Sequence, residues 1–283
     1  MFKLYKQLGE TPLAAITRLR QEKPELEGEK LSYAGRLDPM AEGLLLILVG
    51  DENKNREAYL GLDKEYEAKF IFGLETDTHD VLGLVKMEKE LADSERSIVS
   101  RELAEGGEPS EDDVQRAIGN LKGKWIMTYP WFSSKTVDGK PLYYWARKKF
   151  ADRDSDEGID DEVDIVRPEK VVEIYESDLV ERTSLKKAEL SAAIIDKLSR
   201  VSGNFRQQKI LERWEEYFSM SERTVYNVYS VRIVCSSGTY IRALADRLGR
   251  ELECGGILFD LKRTRIGNDS VEERFENYVM NIR

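Results

Sequence analysis

The chain has 283 residues, 41% hydrophobic and 35% charged, which suits one large domain with insertions. No apolar run reaches the length of a membrane-spanning helix, and the N-terminus has no export signal, so we expect a cytoplasmic protein that does not contact membranes. The net charge of −10 is concentrated in residues 88–116, with ten acids and four bases, and 151–164, with eight acids and one base. We interpret both runs as solvated loops. The remainder is net positive, so a polyanionic partner is not excluded.

The first predicted elements surround a loop with one isolated acid. Thr11 and Pro12 form a helix-start signal, and apolar residues follow at helical spacing, which predicts a helix over 11–23. Asp38 then stands between Leu37 and Pro39, just before an apolar run. Residues 66–72 alternate in polarity and predict a strand.

The remaining elements do not alternate regularly between strand and helix. They are a helix over 110–121, a strand over 170–181, two helices within 184–218 broken at 202–204, a strand over 224–235 and a helix after Gly238. This order predicts an α+β fold with a mixed, mostly antiparallel sheet.

Several common chemistries lack their residues in this sequence. The single histidine, His79, lies in a polar turn where we predict a surface position, and it rules out a multi-histidine metal site. Cys235 and Cys254 do not have the spacing of metal ligands. There is no P-loop, no G-x-G-x-x-G and no G-x-S-x-G. We therefore expect no metal and no cofactor, and carboxylate chemistry assisted by arginine and tyrosine.

Four long segments, in order, resemble one protein family. They are GRLDPMAEGLLLILVG at 35–50, KEYEAKFIFGLETDTHDVLG at 64–83, YPWFSSKTVDGKPLYYWAR at 129–147 and VCSSGTYIRALADRLG at 234–249. Together they resemble the TruB family of tRNA pseudouridine synthases. A weaker fifth segment, 261–273, is similar to the closing strand and turn of that family, so the resemblance extends over roughly residues 1–275.

The resemblance implies a fold, a domain organisation and a function. The fold would be that of pseudouridine synthases: α+β, with a mostly antiparallel sheet flanked by helices and a central catalytic cleft. Residues 1–255 would be the catalytic domain, with an acidic insert at about 87–116, a thumb-like region at about 129–165 and a helical insert at about 184–218. Residues 256–283 would be a short closing segment without an RNA-binding PUA domain. The implied activity is isomerisation of a uridine in the T-loop of tRNA, at position 55, by a monomer that requires no protein partner.

The resemblance also assigns three catalytic roles. Asp38 matches the essential carboxylate, which must be ionised and rigid to act next to an electron-poor sugar carbon. Arg242 matches the arginine that pairs with this acid, and we expect a bidentate pair. Tyr66 matches the tyrosine that stacks on the target base. From the residues alone, Asp38 could cap a turn, Arg242 could lie on the surface and Tyr66 could be a core residue.

We predict RNA contacts from basic and aromatic residues in the matched segments. They are Lys6, Tyr33, Arg36, Lys64, Ser133, Lys135, Lys140, Tyr143, Arg147, Thr239 and Tyr240. Composition alone would also allow a solvated basic helix near 140–149. Tyr33 stands where the family commonly has histidine, and the N-terminal motif at 5–13 departs from the family pattern. Residues 203–209 of the helical insert could contact RNA or brace the sheet.

Two other functions remain open from the sequence. One is an RNA-binding or tRNA-folding module in which pseudouridine formation is secondary or directed to a different substrate. The other is a glycosidase acting on nucleosides, which would need two acids around one bond. The sequence shows no second acid in a motif as distinctive as that of Asp38.

Overall fold

A computed structural model describes residues 1–87, 109–150 and 165–270. Most of the predicted acidic insert, the acidic run at 151–164 and the end of the predicted closing segment lie outside these ranges. None of the helices in the described ranges is long and apolar enough to cross a membrane.

The described strands and helices follow one another without regular alternation. The strands are β1 Phe2–Lys6, β2 Leu31–Ala34, β3 Ala41–Val49, β4 Lys64–Phe72, β5 Gly123–Thr128, β6 Thr136–Val137, β7 Lys140–Pro141, β8 Glu169–Lys186, β9 Val225–Cys235, β10 Gly256–Ile266 and β11 Asp269–Ser270. The helices are α1 Pro12–Glu22, α2 Arg56–Gly61, α3 Glu111–Gly119, α4 Leu142–Lys149, α5 Lys187–Ser199, α6 Gln207–Met220 and α7 Ile241–Glu251.

Nine of the described strands form one sheet with a path of β1-β3-β10-β4-β9-β8-β5, and β2 and β11 are paired at the side of β3 and β10. Every pair in it is antiparallel except β3 with β10. The predicted fold class, α+β with a mixed, mostly antiparallel sheet, is therefore confirmed. Strands β4 and β10 lie at the centre of the sheet, so side chains on them can form the floor of a central cleft.

The helix-start signals in the sequence are found at the first turns of the helices that they predict. The Thr11 hydroxyl accepts a hydrogen bond from the Ala14 amide at 3.1 Å, and Pro12 is the first residue of α1. Ser110 caps α3 by accepting from the Asp113 amide at 3.1 Å. Strand β8 is longer than predicted, at 18 residues, because it stays paired with β9 as far as Lys186.

Helices α5 and α6, the predicted helical insert, are part of the core. Their buried side chains, among them Ile194 and Trp214, pack in one cluster with Ile71 of β4 and Val228 of β9. The Trp214 indole also donates to the Val81 carbonyl at 3.2 Å. The insert therefore braces one face of the sheet through apolar burial.

Gly9 links the connection between α5 and α6 to the loop that carries Asp38. Its amide donates to the Pro39 carbonyl at 2.8 Å, and its own carbonyl accepts from the Ser202 amide at 3.1 Å. Gly9 has φ of +85°, and a Cβ there would lie 2.1 Å from the Arg200 carbonyl oxygen. Only glycine fits this approach, because the obstacle is main chain and cannot rotate away.

Gly9→Ala should lower the free energy of unfolding by about 2 kcal/mol or more beyond the cost of the left-handed backbone alone. Gly28→Ala is the matched control, because Gly28 has φ of +81° with nothing within 4 Å of an added Cβ. We expect the control to lose about 1 kcal/mol. Urea unfolding measures both, and equal losses would contradict the close approach at Gly9.

Candidate active site

Asp38 lies in the loop between β2 and β3, and its neighbours fix it. Leu37 and Met40 are buried on either side of it. The buried guanidinium of Arg263, on β10, donates to the carbonyls of Gly35 at 3.2 Å, Arg36 at 3.3 Å and Leu44 at 2.7 Å. The loop is thus anchored to the centre of the sheet, while the Asp38 side chain remains 32% exposed. The carboxylate is held rigidly and can still meet a ligand.

Arg242 connects Asp38 to two other segments. It is the second residue of α7, is buried and donates from Nε to Asp38 Oδ2 at 2.9 Å. Its Nη1 donates to the Thr78 carbonyl at 3.1 Å and its Nη2 to the Phe132 carbonyl at 3.0 Å. One side chain therefore ties together three loops that are distant in the sequence.

The expected bidentate pair between Arg242 and Asp38 is wrong. Only Nε reaches the carboxylate, because both Nη groups are turned toward main-chain carbonyls. Burial opposes the charged form of Arg242, but Asp38 and Asp80 outweigh it and raise its pKa. The guanidinium therefore stays charged, and its orientation is set by all of its partners.

Asp80 is a second acid in the site, and the sequence analysis missed it. Its Oδ2 lies 4.0 Å from Arg242 Nε, and its Oδ1 accepts from the Thr78 hydroxyl at 2.7 Å and the Leu82 amide at 2.9 Å. Burial raises the pKa of Asp80 to about 6 even though Arg242 acts in the opposite direction. The available signal was the run TDTHD inside the second matched segment, five residues that include two aspartates.

Asp80→Asn should become more stable relative to the unsubstituted protein as the pH rises. The folded-state pKa of Asp80 is raised from 3.8 to about 6, so its favourable contribution is complete below about pH 4 and is lost as the pH passes through about 6. Asparagine retains the acceptor for Thr78 and Leu82 and carries no charge. Urea unfolding between pH 4 and pH 7 measures the difference, with the exposed Asp51→Asn as control. A difference independent of pH would contradict a buried, titrating Asp80.

Tyr66 and Asp38 line the same cavity. This first cavity has a volume of about 430 Å³ and is also lined by Lys64, Arg242 and Arg263. Tyr66 lies on β4, paired with Arg263 of β10, and its ring is almost entirely buried in the cavity wall. Burial raises the pKa of Tyr66, although the charge of Arg263 opposes the shift. The phenol is therefore neutral near pH 7.

Two predicted RNA-binding lysines are buried against their own main chain. Lys64 lines the first cavity, and its ammonium donates to the carbonyls of Leu60, at 2.8 Å, and Leu62. Lys6 donates to the Glu10 carbonyl at 2.7 Å and does not line this cavity. Burial lowers the pKa of each lysine to about 8. Lys64 can meet a ligand, whereas the structure places Lys6 as a brace of the N-terminal loop.

The structure divides the other predicted RNA-binding residues into three groups, two of which line cavities. Arg36, Thr239 and Tyr240 line the first cavity. Tyr143 and Arg147 line an adjoining second cavity, which also includes Arg36. The third group lines neither cavity and consists of Tyr33, Ser133, Lys135 and Lys140. The Tyr33 hydroxyl accepts a hydrogen bond from Arg36 at 3.0 Å, and Ser133 is buried. The ammonium groups of Lys135 and Lys140 each lie 5.4 Å from the centre of an aromatic ring, that of Tyr129 and that of Tyr144 respectively.

The surface position predicted for His79 is only partly correct. Its imidazole is half-buried and lies 3.7 Å from Asp246 of α7, because α7 packs against the turn that carries it. Burial lowers the pKa of His79 despite the nearby carboxylate. Within the three described ranges, no group of three or more His, Cys, Asp or Glu side chains is arranged to hold a metal ion.

Comparisons with known proteins agree on one family. Residues 23–195 match the model of the N-terminal domain of TruB family pseudouridylate synthases. The chain is 30% identical over 272 residues to tRNA pseudouridine synthase B of Aromatoleum aromaticum and 33% identical over 273 residues to that of Bifidobacterium longum. These alignments cover 95% and 93% of this chain but 64% and 61% of those proteins, so the chain spans less than two thirds of their length.

The fold is also found in a solved structure. A chain in the crystal structure of a Cbf5-Nop10-Gar1 complex superposes with a TM-score of 0.52 at 17% identity, over 96% of this chain and 50% of that one. At this identity the similarity concerns the fold. The family-model match covers more than half of the residues and includes both the Asp38 loop and strand β4, and on this ground the chain belongs to the TruB family of pseudouridylate synthases.

Proposed function

We propose that this protein isomerises a uridine in the T-loop of tRNA, at position 55, to pseudouridine, as a monomer in the cytoplasm and without a cofactor. One observation carries the proposal: a carboxylate fixed by a buried arginine opens into a cavity of about 430 Å³ that Tyr66 also lines. That volume suits a single nucleoside removed from its stack. The relatives that support tRNA as the substrate are named tRNA pseudouridine synthase B.

The reaction rearranges one nucleoside without a co-substrate. The bond between N1 of the base and C1′ of the ribose breaks, C1′ joins C5, and a proton leaves C5 while N1 gains one. The ionised Asp38 either attacks C1′ or removes a proton from the sugar, and both routes require a fixed, charged carboxylate. Arg242 fixes the carboxylate of Asp38 by donating to one of its oxygens, which leaves the other oxygen for the substrate.

Tyr66 would stack on the freed base and hold it while it turns. An unstacked base needs an aromatic face to replace its lost neighbours. The phenol of Tyr66 is neutral near pH 7, so Tyr66 does not act at C5 as an ionised base. It can take part in proton transfer there only as a relay, in which its oxygen accepts the proton from C5 while its own proton is passed on.

The experiment incubates the protein with a tRNA transcript and maps pseudouridine at each position. Asp38→Asn is the inactive control, and Asp51→Asn is its matched surface control, because Asp51 is highly exposed. Pseudouridine at position 55 supports the proposal. Release of free uracil would indicate a glycosidase. Such an enzyme needs two acids around one bond, and Asp80, which lines the same cavity as Asp38, is a candidate for the second. Tight tRNA binding with neither product would indicate an RNA-binding module.

Binding of tRNA should weaken steeply with salt, despite the net charge of −10. Arg36 and Arg147, which line the second cavity, and the exposed Lys149 of α4 can displace counterions from phosphates. The logarithm of the dissociation constant should therefore rise linearly with the logarithm of the salt concentration, by a slope of several units. Fluorescence anisotropy between low and moderate salt measures the slope, and an affinity that does not change with salt would contradict phosphate-based binding.

A further inference from the structure

The Phe132 carbonyl, one of the two main-chain acceptors of Arg242, belongs to a short segment that carries three large rings. Arg242 donates to this carbonyl from Nη2 at 3.0 Å. The segment, residues 129–133, follows β5 and reads YPWFS. Its position helps to decide where the guanidinium lies, and with it the Nε group that holds Asp38. A contact that fixes this segment can therefore act on the carboxylate without touching a ligand.

Phe150, the residue that follows α4, packs against two consecutive rings of this segment. Its ring lies edge-to-face against Trp131, with ring centres 5.6 Å apart, and stacks on Phe132 at an angle of 26°, with ring centres 6.3 Å apart. Aromatic pairs at such separations attract one another beyond the area that they bury. We call Trp131, Phe132 and Phe150 the aromatic cluster. It joins the end of α4 to the residue whose carbonyl Arg242 meets.

Two cations also contact the Trp131 ring. Lys149 Nζ lies 5.1 Å from the centre of the ring and Arg167 Cζ lies 5.2 Å from it, both within the range of cation–π attraction. Arg167 also donates to the Tyr129 carbonyl at 3.4 Å, and the Tyr129 amide donates to the Pro168 carbonyl at 3.0 Å. The segment is thus held both from the end of α4 and from the residues that precede β8.

The helix that ends at the aromatic cluster also carries side chains that we predict to bind RNA. Tyr143 and Arg147 of α4 line the second cavity. Trp131 and Phe150 line neither cavity, and Phe150 is 40% exposed, so its ring contacts lie at the protein surface. The placement of α4 therefore reaches the Phe132 carbonyl through ring contacts that lie outside the two cavities.

We propose that Trp131 and Phe150 are positioning residues for the reaction. They hold the Phe132 carbonyl where Arg242 meets it, so the placement of α4 sets the orientation of Asp38. This inference rests on the proposed function, because it concerns the carboxylate assigned to that reaction. An aromatic cluster that only stabilises the fold, or that only binds RNA, is the competing outcome.

Removal of either ring should slow the reaction without weakening tRNA binding. Phe150→Ala and Trp131→Ala should each lower the single-turnover rate at saturating enzyme about tenfold, because a small displacement of a catalytic group is costly. The dissociation constant for tRNA, measured by fluorescence anisotropy, should change at most about twofold, because phosphate and base contacts are kept. An unchanged rate, or a loss of affinity that accounts for the whole loss of activity, would overturn the proposal.

Conservative and control variants separate the contact from a general loss of structure. Trp131→Phe keeps a ring against Phe150 and should retain the rate within about twofold. Tyr175→Ala removes a ring of β8 that is 43% exposed, a fraction similar to that of Phe150, and should retain the full rate. Thermal unfolding checks that each variant is folded. A Trp131→Phe variant as slow as Trp131→Ala would contradict a role for ring packing.

A second substitution shows whether the effect passes through Arg242. Arg242→Lys loses the planar fork and cannot hold Asp38 and also reach the Phe132 carbonyl. With that contact already absent, adding Phe150→Ala should lower the rate at most about twofold, instead of about tenfold. A full tenfold loss in the Arg242→Lys protein would show that the aromatic cluster acts by another route, and the proposal would be wrong.

The same pair of substitutions can be compared in urea, without RNA and without turnover. The unfolding equilibrium constant of the double variant should differ from the product of the two single effects by at least about twofold, in the direction of a smaller loss, because both changes disturb one hydrogen bond. Losses that simply add would contradict the linkage. The two proposals therefore fail separately: absence of pseudouridine with the unsubstituted protein contradicts the proposed function, whereas pseudouridine formation with additive losses contradicts only the role of the aromatic cluster.

Discussion

Asp38→Asn should abolish pseudouridine formation and leave tRNA binding nearly unchanged. The substitution keeps the size of the side chain and removes the charge that both proposed routes require. We expect the single-turnover rate to fall at least about a thousandfold, which is about 4 kcal/mol of activation free energy. Binding should persist because it depends on phosphate and base contacts across the cleft. Single-turnover assays with excess enzyme measure the rate, and anisotropy measures the affinity.

The control distinguishes the role of Asp38 from a loss of structure. Asp51→Asn makes the same chemical change at an exposed site and should retain the full rate. The Asp38 variant should unfold in urea with the same slope as the unsubstituted protein. Pseudouridine formation at an undiminished rate by Asp38→Asn would show that another group performs the reaction.

Arg242→Lys should lower the rate about a hundredfold while keeping a positive charge in the site. Lysine is a compact cation without the planar fork, so it cannot hold Asp38 and also reach the carbonyls of Thr78 and Phe132. A misplaced carboxylate is sufficient to cause a loss of this size. The carbonyls of Thr78 and Phe132 would lose their hydrogen-bond donor, which should also lower the free energy of unfolding by about 1–3 kcal/mol. Single-turnover rates and urea unfolding measure the two effects.

Arg242→Ala is the more severe change and has a pH signature. It leaves Asp38 and Asp80 without their common partner. In the unsubstituted protein Arg242 opposes the effect of burial on Asp80, so its removal should raise the pKa of Asp80 above about 6. Arg116→Lys, at a well-exposed site on α3, is the control and should alter neither rate nor stability. An Arg242→Lys variant with the full rate would show that charge alone, and not the fork, positions Asp38.

Arg263 and Asp80 show why part of the site escaped the sequence analysis. Both are charged residues in segments whose local pattern predicts a strand or a polar turn. Their burial depends on contacts with distant segments: Arg263 reaches carbonyls 219 to 228 residues away, and Asp80 lies beside Arg242 on another element. Charged residues are rarely buried without a partner, and a periodic pattern does not identify the partner. The same reason accounts for His79, whose polar turn is covered by α7.

The sequence by itself determined several elements of this protein and proposed three catalytic residues. Helix α1 follows from Thr11 and Pro12, and strands β4 and β9 follow from their residue patterns, because caps and periodicity are local properties. Asp38, Tyr66 and Arg242 are candidates because their motifs, in a fixed order, resemble those of one family. Only the tertiary structure decided how these parts meet. It joined Asp38 to Arg242 across 204 residues, turned that arginine toward three loops, and set residues 203–206, between α5 and α6, beside the cleft. Such contacts depend on how distant segments pack, and this is settled only when the apolar faces of the sheet and helices are buried together.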